Sequence, residues 1–135
     1  METSLRPYFR RRYLLTKSES RFYDTLRRVV RDHVVFAKVR LADVVDADDR
    51  HRHWQANFNR VCSKHLDFVV CDSLFRPVIA IELDDSSHQR QDRRKRDDDV
   101  DRLLEAVSLP LLRIFVRKTY DPDLISRLLL MKVKR

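Results

Sequence analysis

Residues 65–84, HLDFVVCDSLFRPVIAIELD, decide how the chain is read. Two β-rich runs, 65–71 and 78–84, flank the six residues DSLFRP, which include Pro77. Apolar runs of this length bounded by turn residues form strands, and so short an interval joins them as a hairpin. In a symmetric hairpin Cys71 opposes Val78, and the same register sets Asp67 opposite Glu82. Directly opposed side chains have Cβ atoms roughly 4.5–5.5 Å apart, where like charges destabilise. The two-residue period adds Asp84 to the face of Glu82. Carboxylates crowded on an otherwise apolar hairpin need a compensating charge. A divalent cation is the simplest, since Mg²⁺ is held by one or two carboxylates with water and phosphate oxygens. A register slip of one residue, or acids turned to solvent, would dissolve the patch.

Upstream, residues 1–15 form a basic, aromatic arm (Arg6, Tyr8, Phe9, Arg10, Arg11, Arg12, Tyr13), expected to be irregular and packed by its rings. From Thr16 the period turns helical: Phe22, Tyr23, Leu26, Val29 and Val30 make one apolar face, ending near His33. Thr16 and Glu19 have the spacing of a capping box. Glu19 also belongs to the apolar face, so it either only caps the helix or also joins the acidic patch. Residues 34–41, VVFAKVRL, read as a strand, and the following segment through Arg60 as a loop or short helix.

Downstream, residues 89–106 read as one long helix, solvated at its start, with Val100, Leu103, Leu104 and Val107 as a late apolar stripe. Residues 110–116, PLLRIFV, are a further strand, and Asp121-Pro122 opens a last helix. The order α-β-(loop)-β-β-α-β-α is an α/β fold around a mixed sheet. Residues 16–135 are read as a single domain behind the 1–15 arm.

The net charge of +8 is unevenly spread: residues 1–40 carry +7, 41–89 carry −4 and 90–135 carry +5. Basic flanks around an acidic centre either are solvated faces or are what a metal-using nucleic-acid enzyme needs, with carboxylates for the cation and cations for phosphates. The run 90–96, with Arg90, Arg93, Arg94, Lys95 and Arg96, begins just past the patch and could contact phosphates, or be a solvated helix face. His88, four residues after Asp84, could move protons or bind phosphate, or sit in a surface loop. His51 and His53 are read as residues of a polar segment rather than a metal pair.

The chain has no glycine, which excludes a Walker phosphate loop and a dinucleotide-binding turn. Cys62 and Cys71 are neither a disulfide framework nor a zinc pair. No apolar run reaches the roughly 18 residues of a membrane span. The expectation is a soluble, cytoplasmic protein with no membrane partner.

The segments TKSE at 16–19, KVRLAD at 38–43, KHLDFVVCD at 64–72, IELDDSSH at 81–88 and LPLLRI at 109–114 together resemble the domain-of-unknown-function family 2726 over roughly residues 12–131. The resemblance implies the PD-(D/E)XK nuclease superfamily, near the very-short-patch-repair endonucleases. It implies the restriction-endonuclease-like three-layer fold. The implied site is a helix acid, Glu19, with Asp67 and Glu82 on adjacent strands holding Mg²⁺ (Mn²⁺ as the alternative). Asp84 and His88 assist, and the reaction is metal-assisted hydrolysis of DNA, rather than RNA, phosphodiesters. A double-strand cutter would pair two copies as a homodimer. The superfamily pattern places Lys two residues after the Glu. Here that position is Asp84, as in relatives of this branch. Lys38 or Lys64 could take the lysine's place, although Lys64 has the wrong parity to share a face with Asp67. Without that lysine the alternative is an inactive nucleic-acid-binding module of the same fold. Relatives often carry glycine before the LPLLRI strand; here Ser108 must bear a small strain, or the helix must end another way.

Overall fold

The computed structural model describes residues 7–85 and 91–134, with side chains described outside 91–97. The capping box forms as its spacing demands. The Glu19 N–H donates to Thr16 Oγ1 at 3.1 Å, and the Thr16 N–H donates to Glu19 Oε1 at 2.8 Å. Helix α1 then runs Lys17–Val29. Strand β1 follows at Val34–Arg40. The segment without a clear period folds as two short helices, α2 (Leu41–Val44) and α3 (Trp54–Cys62). The hairpin is β2 (His65–Cys71) and β3 (Pro77–Asp84). Helix α4 (Gln91–Ala106), strand β4 (Leu111–Phe115) and helix α5 (Pro122–Val133) complete the chain. Asp121 caps α5 through the Asp123 N–H at 3.0 Å, with Pro122 in the first turn.

The four strands lie in sequence order in one mixed sheet. β1, β2 and β3 are antiparallel neighbours, and β4 lies parallel to β3. A parallel pair needs a crossover, and α4 supplies it. Two cores sandwich the sheet. On one face Phe22 and Leu26 of α1 and Ile125 and Leu129 of α5 pack on Phe68, Val70, Ile79, Ile81, Leu112 and Ile114. On the other, Leu41, Val61, Val100 and Leu104 pack on Val69, Cys71 and Ala80. The α/β three-layer expectation stands, because each helix carries one apolar stripe and each sheet face needs a cover.

Three details depart from the sequence reading. Cys71 pairs with Pro77 rather than Val78, because an irregularity between Val70 and Cys71 leaves Val78 unmatched. Asp72 holds the tightened loop: its Oδ1 accepts the Leu74 and Arg76 N–H groups at 2.9 Å each, and Arg76 Nε donates to Oδ2 at 2.7 Å. The arm is not packed by its rings; Tyr8, Phe9 and Tyr13 are exposed. Val107 likewise leaves the stripe of α4 and faces solvent.

The end of α4 answers the missing glycine. Leu109 N–H donates to the Leu104 carbonyl at 2.9 Å and Ser108 N–H to that of Glu105 at 3.0 Å. This is a Schellman closure, and Ser108 takes its left-handed position at φ 58°. A side chain with Cβ in that region costs roughly 1–2 kcal/mol.

Candidate active site

Strand alternation resets at one level of the sheet. In β1, Val35 and Ala37 pack on one core, but Val39 packs on the other. In β2, Phe68 belongs to the first core and Leu66 to the second. The pairs Ala37↔Phe68 and Val39↔Leu66 bracket the switch, so Lys38 and Asp67 occupy the level between them. Lys38 makes the reset possible by adopting φ 54°, a conformation that is uncommon outside glycine.

The β2–β3 ladder ends at the same level. Its last pair is Phe68↔Ile81. The next N–H on this side of β3, that of Leu83, is taken by Asp67 Oδ2 at 2.8 Å. Asp67 is therefore not in a ladder pair with Glu82, as the symmetric register implied, but fills the gap where the strands part. The two acids still meet. The Glu82 carboxyl is pushed up to about 9, first by burial, then by the negative charge of Asp67, and by a hydrogen bond between the two groups. Arg113, its register partner on β4, pulls in the opposite direction. Such a pair holds a proton at neutral pH because two adjacent half-buried carboxylates cannot both ionise without help.

Around this pair lies an open cavity of about 460 Å³ lined by Thr16, Ser18, Glu19, Leu83, Asp84 and Arg113 among others. Glu19 arrives from the first turn of α1, where its Oε1 receives both the Thr16 N–H and the Lys38 ammonium, the latter at 3.5 Å. Glu19 thus caps the helix and faces the site at once. Asp84 lies at the C-terminal end of β3, where its carbonyl accepts the Val116 N–H at 2.9 Å. Lys64 lines a different cavity, beside Val61 and Arg102.

The chain belongs to the family described as protein of unknown function (DUF2726), which matches residues 11–132. No curated protein and no solved structure matches it. The match begins in the arm and ends in α5, so this DUF2726 chain carries Glu19, Lys38, Asp67, Glu82, Asp84 and Arg113 within the family's span.

His88 and Arg90 lie outside the described residues. Arg93, Arg94, Lys95 and Arg96 fall in the first turns of α4, whose backbone alone is described there. His51 and His53 make a local contact, the His53 N–H donating to His51 Nδ1 at 3.1 Å. Sequence reasoning missed Arg113. Its guanidinium Nη1 meets both carboxylate oxygens of Asp101 on α4, at 2.6 and 2.8 Å, and it stands beside Glu82. The signal was present: it is the charged residue inside the apolar strand LLRIF.

Among the described residues no group of three or more His, Cys, Asp or Glu side chains is arranged to hold a metal ion. Mg²⁺ asks for less: one or two carboxylates, the rest being water and substrate oxygens. Asp67 and Glu82 fit that donor set, since they are paired oxygen ligands whose mutual repulsion a cation would relieve. Among the described residues no helix is long and apolar enough to cross a membrane.

Proposed function

We propose that this chain is a metal-dependent nuclease of the PD-(D/E)XK kind, near the very-short-patch-repair branch, hydrolysing DNA phosphodiesters. The observation that carries the reading is the meeting of Asp67 and Glu82 at the point where their strands part, beside Glu19 and Lys38. Asp67 and Glu82 would hold Mg²⁺, or Mn²⁺. When bound, the ion polarises a phosphoryl oxygen and acidifies water.

The chain's own residues do the remainder. The Asp67 carboxylate is oriented by the Leu83 N–H on Oδ2, so it faces Glu82 without further ordering. Glu19, which lines the cavity, holds the Lys38 ammonium 3.5 Å from its carboxylate, and from there the lysine would donate to a phosphate oxygen as charge builds on it, although Lys38 itself lines a neighbouring pocket beside Phe36 and Val39. Lys38 therefore takes the place of the lysine that Asp84 displaces from the E-x-K position. Asp84 adds negative charge to the same cavity, and His88 is assigned proton transfer or phosphate contact. Arg90, Arg93, Arg94, Lys95 and Arg96 are assigned phosphate contacts along the strand.

The test is cleavage of plasmid and single-stranded DNA in Mg²⁺ or Mn²⁺. Asp67→Asn and Glu82→Gln are expected to abolish turnover while the fold, read by circular dichroism, is kept. Metal-dependent cleavage that survives both substitutions would overturn the reading. Salt-sensitive DNA binding with no turnover by the unaltered chain would replace it with that of an inactive binding module.

A further inference from the structure

The N-terminal arm leads straight into the cavity. Thr16 and Ser18 line it, and Tyr13 is three residues upstream of Thr16, a reach of at most about 11 Å of chain. On this arm Tyr8 is 76% exposed, Phe9 87% and Tyr13 71%. Exposed apolar groups gathered on one segment mark an interaction site, whereas singly scattered ones do not. Interleaved with them are Arg10, Arg11 and Arg12, and residues 7–15 contain no acid. The Arg12 guanidinium already lies over the Tyr13 ring, 5.6 Å from its centre. The exposed Leu74 and Phe75 lack this setting, since the arginine of their loop, Arg76, is held by Asp72.

Rings on either side of a block of cations match one ligand chemistry well, an anionic backbone carrying unpaired bases. Stacking works on any base because every base has a π-face, while the cations follow the phosphates. A duplex hides its base faces and would leave the rings without a partner. We infer that residues 8–13 are a binding arm for single-stranded nucleic acid, stacking unpaired bases on Tyr8, Phe9 and Tyr13 and holding phosphates with Arg10, Arg11 and Arg12. Delivery of that strand to the carboxylates rests on the nuclease reading; the binding itself does not.

The experiment is fluorescence anisotropy of the full chain in EDTA, where no cleavage can intervene. The probes are a labelled twelve-residue oligothymidine, the matching oligouridine, a duplex of equal length, and vesicles rich in phosphatidylserine. Both single strands are expected to bind more tightly than the duplex, and their ratio tells DNA from RNA as the preferred source. Single ring substitutions (Tyr8→Ala, Phe9→Ala, Tyr13→Ala) are expected to weaken binding roughly fivefold or more each, with the salt slope unchanged. Replacing the three arginines by alanine should instead flatten the log–log salt slope by about 2. Retained affinity in the triple ring variant would overturn the inference, as would equal or tighter duplex binding or a preference for the vesicles. A ring-dependent self-association that excludes the oligonucleotides would also overturn it. Ring-dependent binding by a chain that cleaves nothing in Mg²⁺ would leave the arm standing and sink only the nuclease reading.

Discussion

The ammonium of Lys38 stands 3.5 Å from the Glu19 carboxylate, and it gets there from a backbone at φ 54°. The strain and the ion pair belong together. The left-handed turn at Lys38 moves Val39 to the opposite core from Ala37 and leaves the lysine side chain free to reach across to α1.

That relationship separates two roles for Lys38. Glu19 keeps its Thr16 N–H donor when the lysine is lost, and an ion pair whose lysine end reaches solvent contributes about 1 kcal/mol, so Lys38→Met should lower stability by no more than that. If the ammonium serves phosphodiester cleavage, the same variant should lose about a hundredfold or more in kcat. Lys38→Gly should be equally inactive yet more stable by about 1 kcal/mol, because glycine occupies φ 54° without strain. A fully active Lys38→Met protein, measured by plasmid cleavage, would confine Lys38 to shaping the strand.

Glu82 makes stability depend on pH in a defined direction. Its carboxyl is pushed up to about 9 in the folded chain, against an ordinary value of 4.5. Below pH 4.5 both folded and unfolded states hold the proton. Between pH 4.5 and 9 the unfolded chain releases a proton that the folded chain keeps, so stability falls as pH rises. Urea melts of the metal-free protein should show this decline through neutrality, and Glu82→Gln should remove it. Added Mg²⁺ should restore stability most at the alkaline end, and only while Glu82 is present. Asp43, Asp48 and Asp72 act with the opposite sign and in acid. Hydrogen bonds from Arg40, Arg50 and Arg76 hold them low, so their contribution is lost as pH drops below about 4.

Arg113 is expected to tune the site from behind. It lowers the Glu82 carboxyl from the neighbouring strand while Asp101 grips its guanidinium. Arg113→Met should therefore raise the Glu82 pKa further and move the acid limb of the pH–rate profile upward. Asp101→Asn should move it the other way, since it removes a negative charge that offsets Arg113. Mg²⁺ titration of the two variants, with the pH–rate profile, checks the assignment.

Ser108 offers a test of the fold without touching the site. It holds the left-handed position of the Schellman closure at φ 58°. Ser108→Gly should stabilise by about 1 kcal/mol, seen as a higher Tm, with cleavage and DNA binding unchanged. A destabilised Ser108→Gly protein would mean that the serine side chain makes a contact worth more than its strain.

The sequence by itself determined the features that depend on neighbours along the chain. The capping box of Thr16 and Glu19, the Asp121-Pro122 helix start and the two strands around DSLFRP are all local, and each follows from side-chain chemistry within a few residues; that Ser108 takes the left-handed position was decided by the structure. It also determined which acids were available to meet, because strand alternation places apolar residues on both sides of Asp67 and Glu82. Only the tertiary structure decided how they meet. The end of the ladder at Phe68↔Ile81, the reach of Lys38 to Glu19 and the place of Arg113 beside Glu82 come from packing between distant segments, and the exposure of the arm's rings from the lack of it. A period of two says which residues share a face of one strand. It cannot say where that strand parts from its neighbour, because that point is set by two opposed cores competing for the same sheet.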